Sequence, residues 1–252
     1  MRQGPCRRVL RRGRDFSDSR DSRDLRLICL PFAGGSTQSF QPLAQAVTAD
    51  WTVLAVQPPA GRGLDLDELA ACYLELLERD LVGEGIVFGH SLGAAVAHRM
   101  AEFVGTGWPE GLSLVLSAPP VPRTSLRELT SLDDQDFLAE ATRRELIDPP
   151  PLPADVLHRF VLPALRQDLS VLPPQGWIPF PVPAPTEVIG GTDDRVVHPG
   201  VLRQIHREVG ASSLRLVDGG HLYPVAAPAR TWEALADLVN GPAEAVEIRS
   251  GS

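Results

Sequence analysis

From Leu25 onward the chain alternates short apolar runs with longer stretches of helical period, and few architectures accept that alternation. The runs at 25–30, 52–57, 86–89, 112–117, 186–189 and 214–217 are rich in Leu, Val and Ile. Such runs suit strands that are covered on both faces. Helices are expected near 40–47, 66–81, 92–104, 201–209 and 230–239. In the second of these, Leu66, Leu69, Ala70, Tyr73, Leu74, Leu77 and Leu81 recur at close to the helical repeat. The pattern predicts an α/β fold, a mostly parallel sheet flanked by helices.

The alternation stops between Ser117 and Thr186. Two helical stretches are expected there. One runs from an N-cap at Ser131, with Asp134 three residues on, to about Leu146; the other runs from Asp155 to about Val171 and is kinked at Pro163. Pro149-Pro150-Pro151 separates them, and a Pro-rich segment over 173–185 returns the chain to the sheet. An apolar side formed by Phe137, Leu138, Leu146, Val156, Leu157, Phe160 and Val161 predicts a helical lid over about residues 120–184. The expected organisation is a disordered Arg-rich arm at 1–24, an α/β domain with lid insertion at 25–240 and a flexible tail at 241–252.

Composition narrows the function classes. The chain has 252 residues, 43% of them hydrophobic, enough to bury one sizeable core. Net charge is −8, all 24 basic residues are Arg, and nine of these lie in residues 1–26, so the rest of the chain is acidic. That balance excludes a dedicated nucleic-acid-binding face. Cys6, Cys29 and Cys72 have neither metal-like spacing nor an even count, which fits a reducing compartment. No apolar run reaches the ~18–20 residues that span a bilayer, and the arm lacks the apolar centre of a secretory signal. A cytoplasmic monomer is expected, with no metal, no bound cofactor and no membrane or nucleic-acid partner.

The chemistry concentrates in Gly89-His90-Ser91-Leu92-Gly93, which follows the apolar run Ile86-Val87-Phe88 and precedes a helical run. Strand, G-x-S-x-G and helix in that order form a nucleophile elbow, which lifts the serine hydroxyl above the sheet edge. Ser91 needs a base to act as a nucleophile. His221, in Asp218-Gly219-Gly220-His221 after the last expected strand, falls at the same edge. His90, His98, His158, His198 and His206 are read as packing or surface residues, with His158 able to line a pocket. The base needs an orienting carboxylate, and Gly190-Gly191-Thr192-Asp193-Asp194 follows the penultimate strand. Two adjacent acids do not both face one imidazole; Asp193 is taken as the orienting group from its place before Val196, and Asp194 as its solvated neighbour. The order Ser91, Asp193, His221 is that of α/β-hydrolases. An oxyanion hole is expected from the backbone N–H of Leu92 and a second amide in Leu30-Pro31-Phe32-Ala33-Gly34-Gly35, with Ala33 preferred over Phe32.

Leu30-Pro31-Phe32-Ala33-Gly34-Gly35, Gly61-Arg62-Gly63, Gly89-His90-Ser91-Leu92-Gly93, Leu165-Arg166-Gln167-Asp168, Gly190-Gly191-Thr192-Asp193 and Gly219-Gly220-His221 occur in register. Together they resemble the type II thioesterases that accompany polyketide synthases and nonribosomal peptide synthetases, over about Leu25 to Val239. The resemblance implies an α/β-hydrolase fold with a helical lid. It also implies hydrolysis of acyl groups from the phosphopantetheine arm of acyl or peptidyl carrier proteins by Ser91, His221 and Asp193. The family's Pro-Gly-Arg is here Pro59-Ala60-Gly61-Arg62, one residue longer, and the stretch that follows is short, so acyl preference stays open. A carboxylesterase or lipase acting on free esters, an acyltransferase using the same triad, and a non-catalytic binding protein are the rival readings.

Overall fold

A computed structural model describes residues 6–11, 13, 25–59, 63–123, 126–147 and 153–240. The strands are β1 (Cys6–Arg11), β2 (Leu25–Leu30), β3 (Trp51–Gln57), β4 (Glu84–His90), β5 (Leu112–Ser117), β6 (Thr186–Gly191) and β7 (Leu214–Val217). They form one seven-stranded sheet in the order β1-β3-β2-β4-β5-β6-β7. All neighbours are parallel except β1 and β3. The helices are α1 (Gln41–Ala46), α2 (Leu66–Leu77), α3 (Leu92–Val104), α4 (Asp134–Arg143), α5 (Ala154–Val156), α6 (Leu162–Ser170), α7 (Pro199–Val209), α8 (Tyr223–Ala226) and α9 (Pro228–Asn240). The α/β architecture expected from the apolar runs is the one observed.

The central strands of the sheet are buried on both faces. Leu27, Ile28, Cys29 and Leu30 of β2 and Ile86, Val87 and Phe88 of β4 are wholly inaccessible, which explains why these strands read as continuous apolar runs. Helix α2 packs on α3, α1 packs on α9, and α7 covers β6 and β7. Trp51 of β3 meets Trp232 of α9 edge to face, with centroids 5.0 Å apart. The strand order reverses direction beside β2, because β3 lies on one side of it and β4 on the other. In open α/β sheets the crevice at the carboxyl ends of strands beside such a switch is the usual ligand site.

Two expectations are corrected here. Residues 6–11, assigned above to a disordered arm, form β1, an antiparallel edge strand whose Val9 pairs with Leu54. Its arginines obscured it, yet charge is what an edge strand carries, and Arg7 Nε meets Asp80 Oδ2 at 2.6 Å. The first cap helix starts later than expected: Asp133, not Ser131, is the N-cap of α4, its Oδ1 accepting the Asp136 N–H at 2.9 Å. Ser131 instead ends a short 3-10 segment, and its hydroxyl donates to the Glu128 carbonyl.

The second expected cap helix is present as α5, a π-turn and α6. Residues Leu157–Val161 wind as a wider π-turn that runs directly into α6, with Pro163 in its first turn. The expectations for the rest of the arm, for the proline cluster at 149–151 and for the tail at 241–252 lie outside the described residues.

Candidate active site

The elbow follows from two close approaches. A side chain on Gly89 would run into the Ala94 Cα at 2.7 Å, and one on Gly93 into the Pro31 carbonyl oxygen at 2.7 Å. Glycine at both places lets β4 turn into α3 within one residue, and lets the first turn of α3 abut the end of β2. Ser91 sits at that turn with φ 52° and ψ −116°, a strained backbone for a residue with a Cβ. Its N–H donates to the Ser117 carbonyl at 2.8 Å, fixing the elbow to β5. The Ser91 side chain is thus held above the carboxyl ends of β4 and β5.

His221 occupies the loop after β7, and its Nε2 lies 3.1 Å from Ser91 Oγ. On the other side of the ring, Nδ1 lies 2.8 Å from Asp194 Oδ2. A carboxylate at Nδ1 holds the proton there, which leaves the Nε2 lone pair to accept from the serine hydroxyl. Asp194 Oδ1 accepts the N–H groups of Val196 and Val197 at 2.7 and 2.8 Å. Asp194 and His221 are 2% and 1% exposed, so this carboxylate takes its stabilising partners from the chain and not from water.

Asp193 is not part of this arrangement, and the sequence assignment is corrected to Asp194. β6 ends at Gly191 in a turn whose Thr192 and Asp193 N–H groups donate to the Val217 and Gly219 carbonyls. The turn aims the two adjacent acids in different directions. Asp193 is exposed and its Oδ2 accepts from the Thr192 hydroxyl at 3.1 Å, while Asp194 turns inward.

Of the two expected oxyanion donors, Leu92 directly follows Ser91, and Ala33 follows β2, the strand beside β4. Leu92 is the first residue of α3, where an N–H has no acceptor within the helix. Ala33 lies in the turn after β2 that Gly35 N–H closes onto the Phe32 carbonyl at 2.8 Å. Gly34 has φ +77°, the value that the third position of a type II turn demands. Both Leu92 and Ala33 are buried.

The other histidines take distinct places. His90 is buried with its Nδ1 2.8 Å from Ser117 Oγ, and Ser117 Oγ in turn contacts the Tyr223 hydroxyl. Its ring centroid is 5.1 Å from that of His221. Burial first, then the neighbouring His221, pull the His90 pKa well down, so it stays neutral. His98 packs against Trp177 and Phe180 and meets the Phe180 carbonyl at 2.8 Å. His158 is exposed beside Asp134, and His198 caps α7. None of the three lines the Ser91 site.

Sequence reasoning missed the cap's polar contacts. Glu145 Oε2 accepts the His221 backbone N–H at 3.3 Å, and Glu145 Oε1 pairs with Arg195 at 3.3 Å. Asp168 Oδ2 accepts the Gly34 N–H at 2.7 Å. These join residues far apart in sequence, and no local pattern announces them. The cap's apolar residues also divide: Phe137 and Leu146 are buried in the core, while Phe160 is 65% exposed. A cavity of about 580 Å³ between α2, α3 and residues 171–180 is lined by His98, Trp177 and Phe180, among others, and by none of Ser91, Asp194 and His221. Among the described residues no cluster of His, Cys, Asp and Glu could hold a metal, and no helix is long and apolar enough to cross a membrane.

A parallel sheet with a serine elbow, a histidine after the last strand and a helical cap defines an α/β-hydrolase. Residues 25–240 match the thioesterase domain family, and the chain belongs to it: it is a hydrolase of thioesters. It is 32% identical over 216 residues to thioesterase PikA5 of Streptomyces venezuelae, a match covering 79% of this chain and 75% of that protein. Among solved structures it is similar to BorB, the type II thioesterase of the borrelidin biosynthetic cluster. That match has 26% identity and a TM-score of 0.74, and it covers 93% of this chain and 98% of the other. It is likewise similar to RedJ, the thioesterase of the prodiginine pathway in Streptomyces coelicolor, at 26% identity and a TM-score of 0.71, covering 85% of this chain and 84% of that one.

Proposed function

We propose that the protein hydrolyses acyl groups from the phosphopantetheine arm of acyl or peptidyl carrier proteins, as an editing enzyme of polyketide or nonribosomal peptide synthesis. The observation that carries the proposal is the hydrogen-bonded line from Ser91 Oγ through His221 to Asp194. BorB and RedJ are named as thioesterases of the borrelidin and prodiginine biosynthetic pathways, which supports a role beside a biosynthetic assembly line.

In this reading His221 Nε2 takes the Ser91 proton as Oγ attacks the thioester carbonyl, and Asp194 stabilises the imidazolium that forms. The tetrahedral oxyanion is received by the N–H groups of Leu92 and Ala33, beside the positive end of α3. The C–S bond breaks, and the proton on His221 passes to the departing thiolate. Water then attacks the acyl-serine with His221 as base. The carboxylic acid leaves and Ser91 is restored. This chemistry needs no metal or bound organic cofactor. One chain supplies every group, and we read the enzyme as a cytoplasmic monomer.

The test is to load several acyl groups onto a carrier protein and follow their release by intact mass, beside Ser91→Ala. The proposal expects release by the wild type and none by the variant. Comparing an acyl-pantetheine thioester with the matched oxygen ester separates this activity from that of a free-ester hydrolase, and an added alcohol or amine acceptor separates it from an acyltransferase. Faster cleavage of the oxygen ester, or acyl transfer outrunning hydrolysis, would overturn it.

A further inference from the structure

The segment Leu165-Arg166-Gln167-Asp168 has no role in the chemistry above, yet all four of its side chains are committed to holding the cap in place. Leu165 packs against Gly34, its Cδ1 lying 3.5 Å from where a Gly34 side chain would begin. Arg166 lies over the Phe137 ring at 4.1 Å and donates to the Thr130 carbonyl and to Asp134, at 2.8 and 2.9 Å. Gln167 donates to the Pro59 carbonyl at 3.4 Å. Asp168 accepts the Gly34 N–H at 2.7 Å, across 134 positions of sequence. Arg166 thus ties α6 to the neighbouring cap, Gln167 ties it to the rim of the body, and Leu165 and Asp168 both reach the turn that follows β2.

The place of that bond matters. Gly34 N–H belongs to the central peptide of the turn Phe32-Ala33-Gly34-Gly35. In a β-turn of this kind the central peptide has two orientations, types I and II, related by a flip of the whole plane. With φ at +77°, Gly34 is in the type II arrangement, and the Asp168 carboxylate accepts the N–H that this orientation presents. The amide of Ala33, the proposed second oxyanion donor, is one peptide away. An oxyanion donor works only if it is held in place before charge develops.

We propose that Asp168 is a positioning residue for hydrolysis: from the cap it locks the Ala33–Gly34 peptide, and so sets the oxyanion-binding turn when the cap is seated on the body. The proposal rests on the serine-hydrolase reading of Ser91 and deepens it. It assigns to the cap a part in building the transition-state site, beyond covering it. A cleft of about 250 Å³, lined by Gly34, Gly35, Gln57, Pro59, Pro163 and Asp168, runs along this seam.

Two readouts test it together: turnover of an acyl-pantetheine thioester, and the rate at which a fluorophosphonate labels Ser91, which does not depend on the acyl substrate. Asp168→Ala is expected to lower kcat by about tenfold or more with KM within about twofold, and to slow labelling to a similar degree, less than the roughly 10²–10³-fold for deleting an oxyanion donor outright. Asp168→Asn, which keeps a carbonyl oxygen facing Gly34, is expected to hold kcat within about threefold. Should Asp168→Ala not fold, Gly34→Ala disfavours the same turn from within the loop. Its new Cβ meets nothing nearer than 3.5 Å, and it carries the same expectation. Wild-type kcat and labelling in Asp168→Ala, or in Gly34→Ala where that variant stands in for it, would overturn the brace alone. Absence of labelling in the wild type would overturn the hydrolase reading and the brace with it.

Discussion

Asp194 Oδ2 lies 2.8 Å from His221 Nδ1, both residues being almost wholly enclosed, while the adjacent Asp193 faces solvent. One peptide bond therefore separates a carboxylate that orients the imidazole from one that does not touch it. Asp194→Asn is expected to lower kcat by about 10⁴-fold, the scale of the corresponding change in serine proteases. Asp193→Asn should leave it within about twofold, as surface substitutions do. Steady-state rates on an acyl-pantetheine thioester check both, and the reverse ranking would return the role to Asp193.

The strained backbone of Ser91 gives a stability prediction. Ser91→Ala and Ser91→Gly both remove the hydroxyl that meets His221, but only alanine keeps a Cβ at φ 52°. Ser91→Gly is expected to be more stable than Ser91→Ala by about 1 kcal/mol, the relief of strain exceeding the cost of glycine's extra freedom. Urea unfolding of the two variants measures the difference. Equal midpoints would mean that the elbow stores no strain.

Asp168 has a pKa raised to about 6, burial being the cause and the Gly34 N–H a partial offset. Of its neighbours, Arg166 is turned to Thr130 and Asp134, Gln167 to Pro59, and Tyr73 of α2 feels its charge. A carboxyl raised in the folded state stabilises fully below its unfolded pKa of 3.8, and that contribution is lost as pH climbs through about 6. Asp168→Asn should therefore match the wild type in Tm near about pH 4 and exceed it above about pH 6. Scanning calorimetry across that interval decides; a variant less stable at neutral pH would show that ionised Asp168 is not strained by its burial.

His90 works in the opposite direction. Burial and His221 lower its pKa well below 6.5, so the folded chain refuses a proton that the unfolded chain accepts. Stability then falls as pH drops below about 6.5, by about 1.4 kcal/mol per pH unit for one such histidine. His98, also lowered by burial, adds to the same slope. His90→Asn is expected to flatten the dependence of unfolding free energy on pH between about 6.5 and 5, measured with urea at each pH. An unchanged slope would remove His90 as its source.

The strands that carry the site were legible because covered strands need unbroken Leu, Val and Ile, and Ser91 was legible because Gly89 and Gly93 flank it at the spacing a tight turn requires. The pair Asp193 and Asp194 was not separable, since both follow β6 in a turn, and composition does not record which of two adjacent acids that turn aims inward. Strand β1 was hidden by Arg7, Arg8 and Arg11, whose charge suits an edge but resembles that of an unstructured arm. The bond from Asp168 to Gly34 was invisible for another reason: it depends on where a cap folded from one region comes to rest on a turn formed by another.

Strand β1 has a practical consequence. An open sheet offers two free rims, and an unprotected rim is a template on which a second molecule can pair. Here one rim is closed by an arginine-bearing strand and the other is β7, only four residues long. A shortened version beginning at Leu25, a natural choice if the first residues are judged dispensable, would bare the unpaired amides of Trp51–Gln57. It would trade a modest saving in length for a sticky flank and poorer behaviour at high concentration.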